Sequence, residues 1–456
     1  MRMSPWHREQ IIAKVVCIVE GFLDSPSAEG EDGGLYTLEH GSLDCGRQVA
    51  NELLQAEVDA QGTGHCGQWH EDAAGVRRKF NRYVPKTVQT LVGPITVQRA
   101  LYHRTGASPA GVCPLDARLG LTRGTYSRGM EEVIALAGTC DVYRPALKLV
   151  NRLTGARVSV QKAETTVAAW GTEAKAKVQA APRAPETTVE RIAATRPVPG
   201  RCRCVTTDGT TVQTTERWRD TKLIGVYAFD EKGKKVGPVA YAGTLHYQKD
   251  YPVLLWQLLE RSGASRAETL VWLGDGAPWI WNQQAIVAPH AVAIVDFYHA
   301  ADRLWKVGRA LYNAAGQERA AKRWSQKWIK NLYASKVRTL QQELARHVPR
   351  LGSPPPQCAE DDPRRVLHSA QSYFAHNAGR MDYARYRRLG YPIGSGVIES
   401  ACRHIVGLRM KRTATMAWTE ANAEAMVQLR CLCASDEWDA FWGFDKLWRG
   451  MRARAA

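Results

Sequence analysis

Three separated acidic residues stand in local settings suited to chemistry. Asp208 closes the strand-like run Cys202-Arg-Cys-Val-Thr-Thr207 and is followed by Gly209. Asp275 ends the run Thr269-Leu-Val-Trp-Leu273 and sits between Gly274 and Gly276. Glu399 follows the turn Ile393-Gly-Ser-Gly396 and opens a helical stretch. Two Asp side chains at adjacent strand ends, joined by a Glu from a helix packed across the sheet edge, can hold two Mg²⁺ or Mn²⁺ ions about 3.5–4 Å apart. Hard oxygen ligands at that spacing suit phosphodiester chemistry, and the glycines leave room for a nucleic-acid backbone. Each acid also has an ordinary reading. Asp-Gly pairs make turns, and Glu399 can pair with Arg403 one helical turn on.

The composition supports a polyanionic partner. The chain of 456 residues carries 62 Lys and Arg against 45 Asp and Glu, a net charge of +17. That excess is larger than solubility needs and fits a nucleic acid, with a membrane surface as the weaker competitor. An apolar content of 45% excludes general disorder, and no run of 18 or more apolar residues offers a membrane span. Residues 1–10 lack the apolar core of a secretory signal. Eleven cysteines without a CxxC pair point to reduced thiols in a cytoplasm.

The elements that must position the acids follow from periodicity. Residues 1–85 read as a helical region, with helices over 10–23 and 43–58 and loops such as 28–34 and 62–64. Residues 86–180 read as a candidate DNA-binding region, although a helix pair of the kind it contains is also an ordinary packing unit. It holds a β-hairpin turning at Gly93-Pro94, then a helix-turn-helix pattern in which Thr154-Gly155 makes the turn and Ser159 caps the second helix. A proline-rich linker follows at 181–200. Residues 201–300 read as three hairpin-linked strands (203–207, 222–229, 238–246), then helix 251–261, strand 270–273, helix 278–287 and strand 291–295. This is an α/β layout with a mixed sheet, in the order of a ribonuclease H-like core. Residues 301–388 read as an all-helical insertion. Residues 389–456 complete the core with the Glu399 helix, whose apolar face is expected to be Ile398, Ala401, Cys402, Ile405 and Leu408. Arg403, Arg409, Lys411, Arg412 and Trp418 form a basic stretch ending in an aromatic. Phosphate contact suits it, and so does a solvated charged face.

Four motifs carry a family resemblance: Val205-Thr-Thr-Asp-Gly209, Trp272-Leu-Gly-Asp-Gly-Ala277, Asp296-Phe-Tyr-His299 and Gly394-Ser-Gly-Val-Ile-Glu399. Over residues 85–435 the chain resembles bacterial DDE insertion-sequence transposases, nearest the ISKra group. The resemblance implies that Asp208, Asp275 and Glu399 bind two metal ions, and that His299 belongs to the catalytic set through an Asp-x-x-His signature. It also implies a multimeric enzyme of the bacterial nucleoid that binds the inverted repeats of its element, cleaves at their ends and joins the 3′-hydroxyls to target DNA. A domesticated DNA-binding protein, or a nuclease that cleaves without strand transfer, would share much of this pattern. Relatives often carry a zinc site after the hairpin. Here only His103 and Cys113 keep that place, with His65, Cys66 and His70 as further candidate ligands, and two ligands alone do not make a tetrahedral site.

Overall fold

A computed structural model describes residues 4–24, 34–72, 74–103, 111–122, 124–180, 198–413 and 415–444. Most of the expected 28–34 loop and of the 181–200 linker lies outside these residues. The chain forms two compact units, 1–167 and 168–456.

The first unit begins with helices α1 (Pro5–Leu23) and α2 (Leu35–Asp59), each longer than the apolar periodicity alone indicates. Strands β1 (Trp69–Glu71), β2 (Arg77–Thr90) and β3 (Gly93–His103) form an antiparallel sheet. The hairpin turns at Leu91-Val92, because Thr90 already pairs with Gly93. Gly93 takes φ +131°, so it starts the return strand in a conformation that side chains disfavour. Val88, Ile95 and Val97 of this hairpin pack with Leu115 of α3 (Pro114–Leu119).

Helices α4 (Arg128–Cys140), α5 (Tyr143–Thr154) and α6 (Val160–Ala180) follow. Met130, Ile134, Leu147, Val150, Val158 and Ala163 form a shared core, as their spacing on each helix dictates. Gly155 ends α5 in the left-handed region at φ +69°, and the Ser159 hydroxyl accepts from Lys162 N–H. The helix-turn-helix pattern is therefore present as two helices and a glycine turn. The boundary between the two units falls inside α6.

The second unit is built on a mixed five-stranded sheet in the order β6-β5-β4-β7-β8. Its strands are β4 (Val198–Gln213), β5 (Trp218–Phe229), β6 (Lys235–Thr244), β7 (Ala267–Gly274) and β8 (Val292–Val295). Strands β4, β5 and β6 pair antiparallel, whereas β4, β7 and β8 pair parallel. Cys204, Val205, Thr206 and Thr207 are all buried, as a central strand covered on both faces requires. Helix α7 (Tyr247–Arg261) connects β6 to β7, and α8 (Pro278–Val287) connects β7 to β8.

Beyond β8 the chain is helical: α9 (Phe297–Leu311), α10 (Glu318–Tyr333), α11 (Val337–Leu351), α12 (Pro363–Asn377) and α13 (Tyr383–Arg388). The Glu399 helix, α14 (Gly396–Ala401), widens into π-helix over Cys402–Gly407 before a last turn, α15 (Leu408–Met410). Arg430 of α16 (Glu420–Ala434) donates to the carbonyls of His404 and Ile405 within this widened turn. Near the end of the described chain comes α17 (Trp438–Trp442). The second unit is thus mixed α/β, and no helix among the described residues is long and apolar enough to cross a membrane.

A buried ionic cluster ties three helices of this unit together. Lys175 of α6 lies 2.5 Å from Asp250 of α7 and 2.9 Å from Glu424 of α16. Burial alone would lower the Lys175 pKa, but these two partners outweigh it and raise the pKa above its ordinary value.

Candidate metal centre

The parallel register places the first two acids side by side. Thr206 pairs with Leu273 as the last β4–β7 pair, so Asp208 and Asp275 each lie two residues beyond it. Asp208 is not at a strand end as the sequence suggests. Strand β4 runs on to Gln213 by pairing with β5 alone, with Asp208 opposite Leu223. What ends before Asp208 is the pairing with β7, whose last partner is Leu273.

Local hydrogen bonds fix both side chains. Asp208 Oδ1 accepts from Gly209 N–H at 2.7 Å, and the Cys402 thiol lies 3.7 Å from Oδ2. Asp275 Oδ1 accepts from Ala277 N–H at 2.9 Å, while the Tyr373 hydroxyl donates to the Asp275 carbonyl at 2.9 Å. Gly276 sits at φ +100°, and a Cβ there would come within 2.6 Å of the Tyr373 ring. Burial pushes the Asp208 carboxyl above its ordinary pKa, the Asp275 charge adds to the rise, and the Gly209 bond only partly opposes it.

Glu399 is held from two directions. Its Oε1 accepts from the Ser395 hydroxyl at 2.9 Å and lies 3.1 Å from His299 Nε2. Asp296 organises both partners. Its Oδ1 caps α9 by accepting from His299 N–H at 2.7 Å, and its Oδ2 accepts from Ser395 N–H. Fully buried between them, Asp296 fastens the end of β8 to the turn that carries Glu399. Cys402 lies one helical turn beyond Glu399 and points the same helix at Asp208.

Two groups of donor atoms among the described residues are close enough to share a cation: Asp296, His299 and Glu399, and His246, Asp250 and Glu424. The second is already bridged by the Lys175 ammonium. In the first, both Asp296 oxygens are occupied by backbone N–H groups. Asp208, Asp275 and Glu399 do not converge as tightly as either group, yet each is a hard oxygen donor at least partly open to solvent. Asp275 Oδ2 and Glu399 Oε2 make no hydrogen bond among the described residues. Asp208 and Asp275 are near enough for the charge of one to raise the pKa of the other, and Asp275 and Glu399 thus each keep a carboxylate oxygen free.

Compared with protein-family models and with curated proteins, the chain matches none.

The other expected site residues divide. Arg403, Lys411 and Arg412 are exposed, and Lys411 Nζ lies 2.6 Å from the Thr210 hydroxyl, two residues past Asp208. Arg409 and Trp418 are buried, with the guanidinium 4.9 Å from the ring centroid and the indole N–H bonded to the Met410 carbonyl. That pair is packing and is closed to phosphate. The cause is the π-helical turn, which takes an extra residue per turn and rotates the face. Leu408, expected inside, is 60% exposed, while Val406, Arg409 and Met410 are buried. The candidate zinc ligands do not gather either. His65 packs edge-on to Phe80, His70 lies against Tyr102, and no donor group near His103 and Cys113 forms among the described residues. Sequence reasoning missed Ser395, Cys402 and Tyr373. Ser395 and Cys402 had a signal, one within the glycine turn and the other three residues after Glu399. Tyr373 had none.

Proposed function

We propose that this chain is a DDE-type transposase, akin to the ISKra group, with a ribonuclease H-like core. The observation that carries the reading is the register: a parallel β4–β7 pairing that delivers Asp208 and Asp275 side by side, with the Glu399 helix reaching Asp208 through Cys402. The strand order, three antiparallel strands continued by two parallel ones, agrees with it. Asp208, Asp275 and Glu399 would hold Mg²⁺ or Mn²⁺, two ions in this reading. When bound, such ions activate a water or 3′-hydroxyl and stabilise the leaving oxygen.

The chain's own residues do the rest. His299 orients Glu399, and Asp296 holds His299 and the Ser395 turn in register. Lys411 and Arg403 lie where a DNA backbone approaching Asp208 and Glu399 would meet positive charge. Double-stranded DNA, first the element ends and then the target, is the proposed substrate. Two ends must be paired, so the acting form is a homo-oligomer, in the cytoplasm at the nucleoid.

The test uses a duplex carrying the DNA that flanks the coding region. Wild-type protein should nick it in Mg²⁺ and join the freed ends to a second duplex. Asp208→Ala, Asp275→Ala and Glu399→Ala should each lose both steps by at least roughly 10²–10³-fold while retaining end binding, since metal-borne charge stabilisation amounts to several kcal/mol. Normal joining by Glu399→Ala would sink the assignment. Cleavage without joining would instead favour a nuclease.

A further inference from the structure

A cleft opens beside Glu399 that the metal chemistry does not use. Its volume is about 800 Å³, within the roughly 300–1,000 Å³ range of ligand-binding pockets. Glu399 forms one wall, Tyr298 and Tyr333 present rings, and Lys232, Lys235 and Arg387 supply charge. Tyr298 is the immediate neighbour of His299, yet it is 66% exposed, far more than a packing aromatic needs. Its ring rests over Gly394, where a Cβ would come within 2.7 Å. That glycine therefore lets the ring come close to the turn that leads to Glu399. Tyr333 is also exposed at its rim, with the Arg387 guanidinium 3.5 Å from its ring centroid. Glu231 is the other acid in the lining.

Exposed rings interleaved with cations are what unpaired nucleotides need. Every base has a π-face to stack, and the backbone needs positive charge within reach. A duplex keeps its bases stacked on one another and cannot offer those faces. Building on the proposed function, we propose that this cleft takes an unpaired nucleotide of a DNA strand whose backbone passes Glu399, with Tyr298 as the stacking platform. The site would then favour a locally opened strand over intact duplex.

The experiment needs no catalysis. The full chain in EDTA is titrated into a labelled single-stranded oligothymidylate of about twelve nucleotides, and into the same strand annealed to its complement. A third probe carries 5-iodouracil for photocrosslinking. The single strand should bind more tightly, and the crosslink should map to Tyr298 or Tyr333 with the single strand only. Tyr298→Ala should weaken single-strand binding by roughly tenfold, the scale of one lost base–aromatic stack, and leave duplex binding unchanged. Tyr298→Phe keeps the ring and should bind as wild type. Equal losses for both probes, a crosslink elsewhere, or Tyr298→Phe behaving like Tyr298→Ala would overturn the proposal. Crosslinking at Tyr298 without any Mg²⁺-dependent cleavage would leave this cleft standing and sink the transposase reading instead.

Discussion

Asp208 holds the least comfortable charge at the candidate centre. Burial and the neighbouring Asp275 raise its carboxyl pKa, so the folded chain binds that proton more tightly than the unfolded chain does. The stability contributed by this group is complete below the unfolded value near 3.8. It is lost as pH rises through the higher folded value. At neutral pH the cation-free protein therefore carries the unrelieved carboxylate. Asp208→Asn, neutral at every pH, should melt higher than wild type in chelator at pH 7. A gap of that sign is expected because burial is what raises the carboxyl pKa. The gap should close as the pH is lowered through the acid range. Mg²⁺ should raise the melting temperature of wild type and not of the variant. A scan of melting temperature against pH, with and without Mg²⁺, reads all three. A constant gap at every pH would mean that Asp208 does not titrate in this setting.

At the scale of elements, the helical segment between the second and third acids reaches back to the centre. Helix α12 lies nearly a hundred residues beyond Asp275, yet its Tyr373 both donates to the Asp275 carbonyl and crowds Gly276. Tyr373→Phe should cost about 1 kcal/mol, the net worth of one buried hydrogen bond. Gly276→Ala should cost more, about 1–3 kcal/mol from backbone strain with a steric clash added, and should displace Asp275 so that nicking falls as well. Urea denaturation beside the nicking assay separates the two effects. Equal stability in Gly276→Ala would show that the ring can move away. The strands and helices of 201–300 were legible because central strands are apolar runs, and α8 matches its reading to the residue. Asp208 was misplaced at a strand end because Gly209-Thr-Thr-Val-Gln213 is half-polar, a pattern that fits an edge paired on one side only. The π-helical turn was invisible, because apolar spacing presumes 3.6 residues per turn, and so the Leu408 and Arg409 faces were exchanged. Tyr373 and the Lys175–Asp250–Glu424 cluster could not be read at all, since each joins positions far apart in the chain.

For the whole molecule, the charge of +17 decides how binding should respond to salt. If six to ten phosphates are contacted, affinity for duplex should fall by about 10³–10⁵-fold between 50 and 200 mM salt, whatever the sequence. Individual cations contribute to that slope only if they face solvent. The buried and exposed members of one basic stretch therefore make a controlled comparison. Arg403 is exposed on the helix beside Glu399, so Arg403→Gln should lower the magnitude of the log–log slope by about one and leave stability within about 0.5 kcal/mol. Arg409 is buried against Trp418, so Arg409→Gln should cost roughly 1–3 kcal/mol of stability and leave the slope unchanged. Binding titrations across salt, paired with denaturation of each variant, measure both quantities. A slope that changes with Arg409 and not with Arg403 would mean that the helix turns its other face to DNA, and that the π-helical rotation of this segment is undone on binding.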